Sequence, residues 1–367
     1  MITACIITRN QQDKLKKCLQ HLKKYNIEIV VVDTGSVDDT KNIAKEYTEY
    51  VFDFPWENDF AKARNFAIEK APSNLILSID SDEYVTALNV AEIEQLMSKN
   101  VNDVGQITLT NIFNADEIRM NDELLGRIFD RRYCHYVGRI HEQIECKNGQ
   151  EHSFFFTSTH ILHDGYLLDD EERAKKTERN IRILKDELEM FLSEYEGKDL
   201  TKMPLSVQNR AGYILYQLGK SYYMKHDYKT AAEYFDLGLS FDLNDKLGYV
   251  IDMVETYGYA LINSGQVKKA LALINLIDTF GNSADFRFLL GVIYMNNEKY
   301  DEAVEQFVMA TTFSKSKVRG VNSYLAYYNI GVIYECLGDR IRAIKYYKKC
   351  NNYKPANNRL RILLETE

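Results

Sequence analysis

Short apolar runs separated by polar turns open the chain. Residues 2–8 and 27–32 are almost wholly apolar, and the second run ends on Asp33. Runs of this length without alternation predict buried parallel strands. Between them, Leu15, Leu19 and Leu22 recur at helical spacing within 12–25, which predicts an amphipathic helix. The loop TGSVDDT follows, with Gly35 for the turn and Ser36 or Asp38 to cap a short helix over 41–47. A third strand is expected at 51–54. A helix over 59–70 turns Phe60, Ala63, Phe66 and Ala67 inward and stops at Pro72 and Ser73. Strand and helix alternate as in a doubly wound sheet with right-handed crossovers.

The next stretch, 75–84, reads LILSIDSDEY. Its apolar part is a further buried strand, and Asp80, Asp82 and Glu83 arrive where that strand ends. Ligands of open α/β sheets sit at the carboxyl ends of strands. Two aspartates one residue apart at such a crevice can hold a hard divalent cation and a sugar-nucleotide diphosphate together. Asp-x-Asp alone more often marks an acidic turn, so the neighbouring motifs decide. Asp33 is placed to accept from a base or ribose, or simply to cap a turn. Arg64, near the start of its helix, is within reach of a phosphate. Further on, a helix is expected at 92–98, strands at 104–113 and 154–162, and a long helix at 171–194.

Composition narrows the class. The chain has 367 residues, enough for two domains, and a formal net charge of −8, which disfavours general nucleic-acid binding. No apolar stretch approaches the ~18 residues of a membrane span. MITACIITRN lacks the basic flank of a signal peptide and reads as a first strand. The six scattered cysteines form no C-x-x-C pair, which suits reduced thiols and a cytoplasmic setting.

The segments CIITRN, VVVDTGSVDDT, WENDFAKARNFAIEKA and LILSIDSDE, in this order and spacing, resemble glycosyltransferase family 2. The likeness runs from about residue 2 to 184 and is nearest the sublancin S-glycosyltransferase type and the lipopolysaccharide-core glucosyltransferases. It implies a GT-A fold, a Rossmann-like mixed sheet, and inverting sugar transfer from a UDP-sugar. It also implies that Asp33 contacts the base, Asp80 the ribose or metal, and Asp82 the metal, with Thr8, Asn10 and Ser81 lining the nucleotide-sugar site. In the resembling enzymes G-x-(I/V)-H-E, here Gly138 to Glu142, follows an R-x-F-R segment. Glu142 is the candidate general base for the acceptor, or else it and His141 shape the acceptor pocket, with Trp56 a further wall. H-x-G-Y begins at His163, whose counterpart in many GT-A enzymes completes the metal site. Asp82 with His163 would suit Mn²⁺ and tolerate Mg²⁺, with His160 the weaker competitor. Lys175 and Arg179, in the helix that follows, are candidates to steady the diphosphate, or lie on a solvated face.

The second half repeats. Gly219, Gly258, Gly291 and Gly331 precede Ala231, Ala270, Ala303 and Ala343 by one interval, with aromatic and aliphatic residues in shared register. This is the tetratricopeptide pattern of paired helices, and the second copy is degenerate. The expected plan is a catalytic domain at 1–195, a linker at 196–206 and a helical repeat domain at 207–367. Such arrays hold peptides or proteins on a concave face. The expectation is therefore a metal-dependent transferase acting on a Cys, Ser or Thr side chain of a peptide or protein, and the resemblance favours a homodimer. The alternatives are a saccharide or lipid-linked acceptor, or an inactive domain serving as a scaffold.

Overall fold

A computed structural model describes residues 1–112, 120–164 and 170–365. Phe113, expected to end a strand, and the last two residues of H-x-G-Y lie outside these ranges. The chain divides into two compact units, Met1–Arg173 and Ala174–Glu367.

The first unit contains strands β1 (Ile2–Thr8), β2 (Glu28–Asp33), β3 (Val51–Asp53), β4 (Leu75–Asp80), β5 (Glu83–Ala87), β6 (Val104–Ile112), β7 (Met120–Asp130), β8 (Cys134–Val137), β9 (Gln143–Cys146) and β10 (Phe154–His163). Its helices are α1 (Gln12–Leu22), α2 (Thr40–Lys45), α3 (Phe60–Glu69) and α4 (Val90–Lys99). Eight strands form one mixed sheet in the order β3-β2-β1-β4-β7-β6-β10-β5, and β8 pairs with β9 in a separate hairpin. The first four strands are parallel, as the apolar runs require, while β7 is antiparallel to both its neighbours. On one face Leu15, Leu19 and Leu22 of α1 pack with Ile6, Ile79, Ile107 and Ile161. On the other, Ala67 and Ile68 of α3 pack with Val32, Ile76 and Phe129. Each fully buried side chain of this kind contributes about 1.5–3 kcal/mol.

The sheet is curled, and the chain itself requires it. Asp80 ends β4 and Glu83 begins β5, so the two lie at most ~11 Å apart along the backbone. In a flat sheet the four strand spacings between β4 and β5 would separate them by ~19 Å. Curling brings the far edge back and sets both residues around one crevice.

The second unit takes most of α5 (Asp170–Glu194). The stretch expected as a linker holds a 3-10 turn, Leu200–Lys202, and the start of α6 (Leu205–Met224). The helix pairs are α6 with α7 (Tyr228–Gly238), α11 (Ala284–Asn296) with α12 (Tyr300–Ala310), and α13 (Tyr324–Cys336) with α14 (Arg340–Lys348), followed by α15 (Lys354–Glu365). In the degenerate copy α8 (Gly248–Asn263) faces a broken partner: α9 (Val267–Ala270), a 3-10 segment and α10 (Ile277–Phe280). The repeat glycines have a steric reason. A Cβ on Gly291 would lie 2.7 Å from the Phe307 ring, and one on Gly331 2.6 Å from Tyr347.

Candidate active site

The carboxyl ends of β1 and β2 meet in register at Thr8 and Asp33. Asp33 Oδ1 accepts from the backbone N–H groups of Gly35 and Ser36 at 2.9 and 2.8 Å. Its Oδ2 and the hydroxyl of Thr8 are buried with no partner in the chain. Leaving a buried polar atom unpaired costs about 1–3 kcal/mol, so two of them at one strand end mark a place that a polar ligand completes. Asn10, at φ +50°, holds the loop above them. Its Oδ1 accepts from Val37 N, and its own N–H donates to Ser36 Oγ, both at 2.8 Å.

Asp80 lies between two arginines. Arg64 of α3 donates to its Oδ1 at 2.6 Å, and Arg127 of β7 approaches its Oδ2 at 3.3 Å. Arg64 also contacts Glu142, and Arg127 donates to Glu83 at 3.0 Å. Burial opposes the Asp80 charge, but the two guanidinium groups overcome it and hold the carboxyl well below its usual range. Glu83 is only 1% exposed, and burial pushes its carboxyl up despite Arg127. Its second oxygen accepts from Asp80 N at 2.9 Å, which fastens the turn carrying Ser81 and Asp82.

The W-x-x-D-F-x-x-A-R-N segment is the frame of this network. Asp59 caps α3 by accepting from Lys62 N, and Phe60 N donates to Arg139 O in the β8–β9 loop. Asn65 clamps β8 by donating to Tyr136 O and accepting from Tyr136 N. Trp56 stands half-buried, edge-on to Phe60 and donating to Asn58. Arg64, expected at a phosphate, is instead 6% exposed, with its guanidinium shared among Asp80, Glu142 and Ser78. Its position facing the sheet, and not its charge, decides this. His141, in the same loop, takes φ +52°.

Across the crevice His163 ends β10 beside Glu83 and Asn111. Its Nδ1 lies 2.7 Å from Asn111 Oδ1, and its Nε2 lies 3.6 Å from Asp82 Oδ2. Burial alone would lower the imidazole, but Asp82, Glu83 and Asp80 outweigh it and raise it. Next to His163, Asp164 accepts from Tyr84 OH at 2.8 Å and pairs with Lys17. By contrast His160 spends both ring nitrogens on the hydroxyls of Thr86 and Thr110. Among the described residues no group of three His, Cys, Asp or Glu side chains could hold a metal. The pair Asp82–His163 nevertheless offers one hard oxygen and one imidazole nitrogen turned towards each other. That is the donor set for an ion whose remaining ligands come from a diphosphate and water.

Sequence reasoning overlooked Arg127 as the partner of Asp80 and Glu83, Asn111 as the partner of His163, and Asn65 as the clamp on β8. Nothing local signals them, because each contact joins residues at least 44 positions apart. Of the other predicted residues, Ser81 is buried in the turn between β4 and β5. Lys175 and Arg179 belong to the second unit, where Arg179 contacts Asn180.

The family profile described as glycosyl transferase family 2 matches residues 3–159. The chain carries a family 2 glycosyltransferase domain. Tetratricopeptide repeat profiles match 284–314 and 324–357, so this glycosyltransferase-type unit is followed by helical repeats. The SPbeta prophage-derived glycosyltransferase SunS of Bacillus subtilis is 29% identical over 207 residues, covering 52% of this chain and 45% of SunS. An uncharacterized glycosyltransferase of Rickettsia prowazekii is 28% identical over 145 residues, 38% of this chain and 49% of that one. The chain thus spans about half the length of these relatives. A tetratricopeptide repeat-containing protein of Synechococcus elongatus is 39% identical over 82 residues, 22% of this chain and 20% of that one.

Proposed function

We propose that the protein is an inverting glycosyltransferase that moves a sugar from a UDP-sugar to a Cys, Ser or Thr side chain of a peptide or protein. The observation that carries this reading is the convergence of Asp33, Asp80, Asp82 and His163 on one rim of a family 2 domain. Asp33 Oδ2, the unpaired acceptor, receives the N3–H of the uracil, with Thr8 beside it. Asp80, ionised between Arg64 and Arg127, accepts from the ribose. Asp82 and His163 would hold Mn²⁺ or Mg²⁺. When bound, the ion offsets charge gathering on the departing diphosphate, and Lys175 and Arg179 are proposed to add to that stabilisation.

The acceptor sulfur or oxygen attacks the anomeric carbon opposite the diphosphate. The new bond forms as the carbon–oxygen bond to UDP breaks, and configuration inverts. Glu142, held in place by Arg64, takes the acceptor proton. A thiol needs this help least, since its proton leaves more readily than that of a hydroxyl. His141 and Trp56 border the acceptor. The repeats hold the remainder of the peptide and supply the seam of a homodimer, and the unpaired cysteines fit a reducing cytoplasm.

The acceptor class is tested by incubating the protein with a UDP-sugar, Mn²⁺ and a library of Cys-, Ser- and Thr-containing peptides, read by mass spectrometry. A hexose or N-acetylhexosamine increment on a side chain is expected. Transfer to free saccharides with none to peptides would reassign the acceptor.

A further inference from the structure

The proposed metal site needs His163 to offer a lone pair from Nε2, and an imidazole can carry its proton on either nitrogen. Which nitrogen is protonated is set by what the other one meets. Here Nδ1 meets Asn111 Oδ1 at 2.7 Å. A carbonyl oxygen only accepts, so Nδ1 must carry the proton. Nε2 is then the unprotonated nitrogen, and it is the one turned towards Asp82 Oδ2 at 3.6 Å.

Asn111 is suited to enforce this state. It is 2% exposed on β6, opposite His163 in a parallel register. The same register places Thr110 opposite Leu162, and the Thr110 hydroxyl contacts His160. The two strands are therefore joined at two successive histidines, and the ring of His163 cannot turn without breaking a buried hydrogen bond. The Nδ2 of Asn111 finds no partner. Its amide is thus set by the contact with His163 and not by a competing network of its own.

We propose that Asn111 is a positioning residue that fixes the His163 tautomer and ring plane so that Nε2 and Asp82 present a preformed pair of metal ligands. This rests on the metal-dependent reading above. Outer partners of metal-bound histidines typically change affinity 10- to 100-fold when removed. Asp at this position would accept from Nδ1–H as Asn does, and Leu could not.

The test has two arms. In metal-free wild type, ¹⁵N NMR of the imidazole should show His163 protonated on Nδ1 and bare on Nε2. Calorimetric titration of Mn²⁺ in the presence of UDP should then show a roughly 10- to 100-fold loss of Mn²⁺ affinity in Asn111→Leu. Asn111→Asp should stay within about threefold of wild type, with circular dichroism confirming that both variants are folded. If wild type itself takes up no Mn²⁺, the metal-dependent reading fails. If wild type binds Mn²⁺ and folded N111L binds it equally, or if Nε2 carries the proton, only the role of Asn111 fails. Should N111L not fold, the tautomer and an N111D that binds worse than tenfold below wild type decide against it in the same way.

Discussion

Arg64 donates to Asp80 at 2.6 Å from a position that is almost fully buried. The same guanidinium contacts Glu142, so one side chain spans the strand-end acid proposed for the donor and the loop acid proposed for the acceptor. An arginine fork does this because its donors lie in one plane at fixed angles. Arg64→Leu leaves two carboxylates without their partner. A loss of about 3 kcal/mol in unfolding free energy is expected, measured by urea denaturation. Arg64→Lys should recover less than half of it, because a single ammonium cannot face both acids.

Asp33→Asn tests the base contact without removing the turn. The amide oxygen can still accept from Gly35 and Ser36, as Oδ1 does now. At the unpaired Oδ2 position the amide presents donors to the uracil N3–H, which is itself a donor. UDP affinity should fall about 10-fold or more with the melting temperature unchanged, read by calorimetry. Equal affinity would remove Asp33 from the nucleotide site.

A pH effect is expected in the repeat unit. Glu255 of α8 is buried, and this pushes its carboxyl from 4.5 up to about 7, against the pull of Lys317 and with Asp285 and Asp252 adding to the rise. Below pH 4.5 both folded and unfolded states hold the proton and Glu255 has no effect. Between 4.5 and about 7 the unfolded chain has released it while the folded chain retains it, so stability falls as pH rises. The full difference is about 3 kcal/mol. Glu255→Gln should therefore stabilise the protein progressively over this window, most at pH 8 and hardly at pH 4, in denaturation curves taken at each pH. Asp252, held low by Lys220 and Lys317 despite burial, acts only below about pH 4 and does not blur the comparison.

The parallel half of the sheet was legible because β1, β2 and β4 are continuous apolar runs, and their ends announced Asp33 and Asp80. The repeats were legible because glycine and alanine recur where helices must touch. β5, with the sequence EYVTA, went unread: a short strand after an acidic turn has no periodicity of its own and exists because β10 pairs with it. The hairpin of β8 and β9, four residues each, was missed for the same reason. Arg64 was assigned to a phosphate because its charge is visible in sequence while its burial against Asp80 is not. The family likeness located Asp82 and His163, yet only the sheet register shows that Asn111 stands beside His163.

The central claim is tested most directly by UDP release from a panel of UDP-sugars with and without Mn²⁺, for wild type and Asp82→Ala. Release that requires Mn²⁺ in wild type and falls at least 100-fold in D82A, a loss of about 3 kcal/mol of transition-state stabilisation, is the expected result. Release that is indifferent to Mn²⁺ and to Asp82, or no release and no binding of UDP at all, would contradict it.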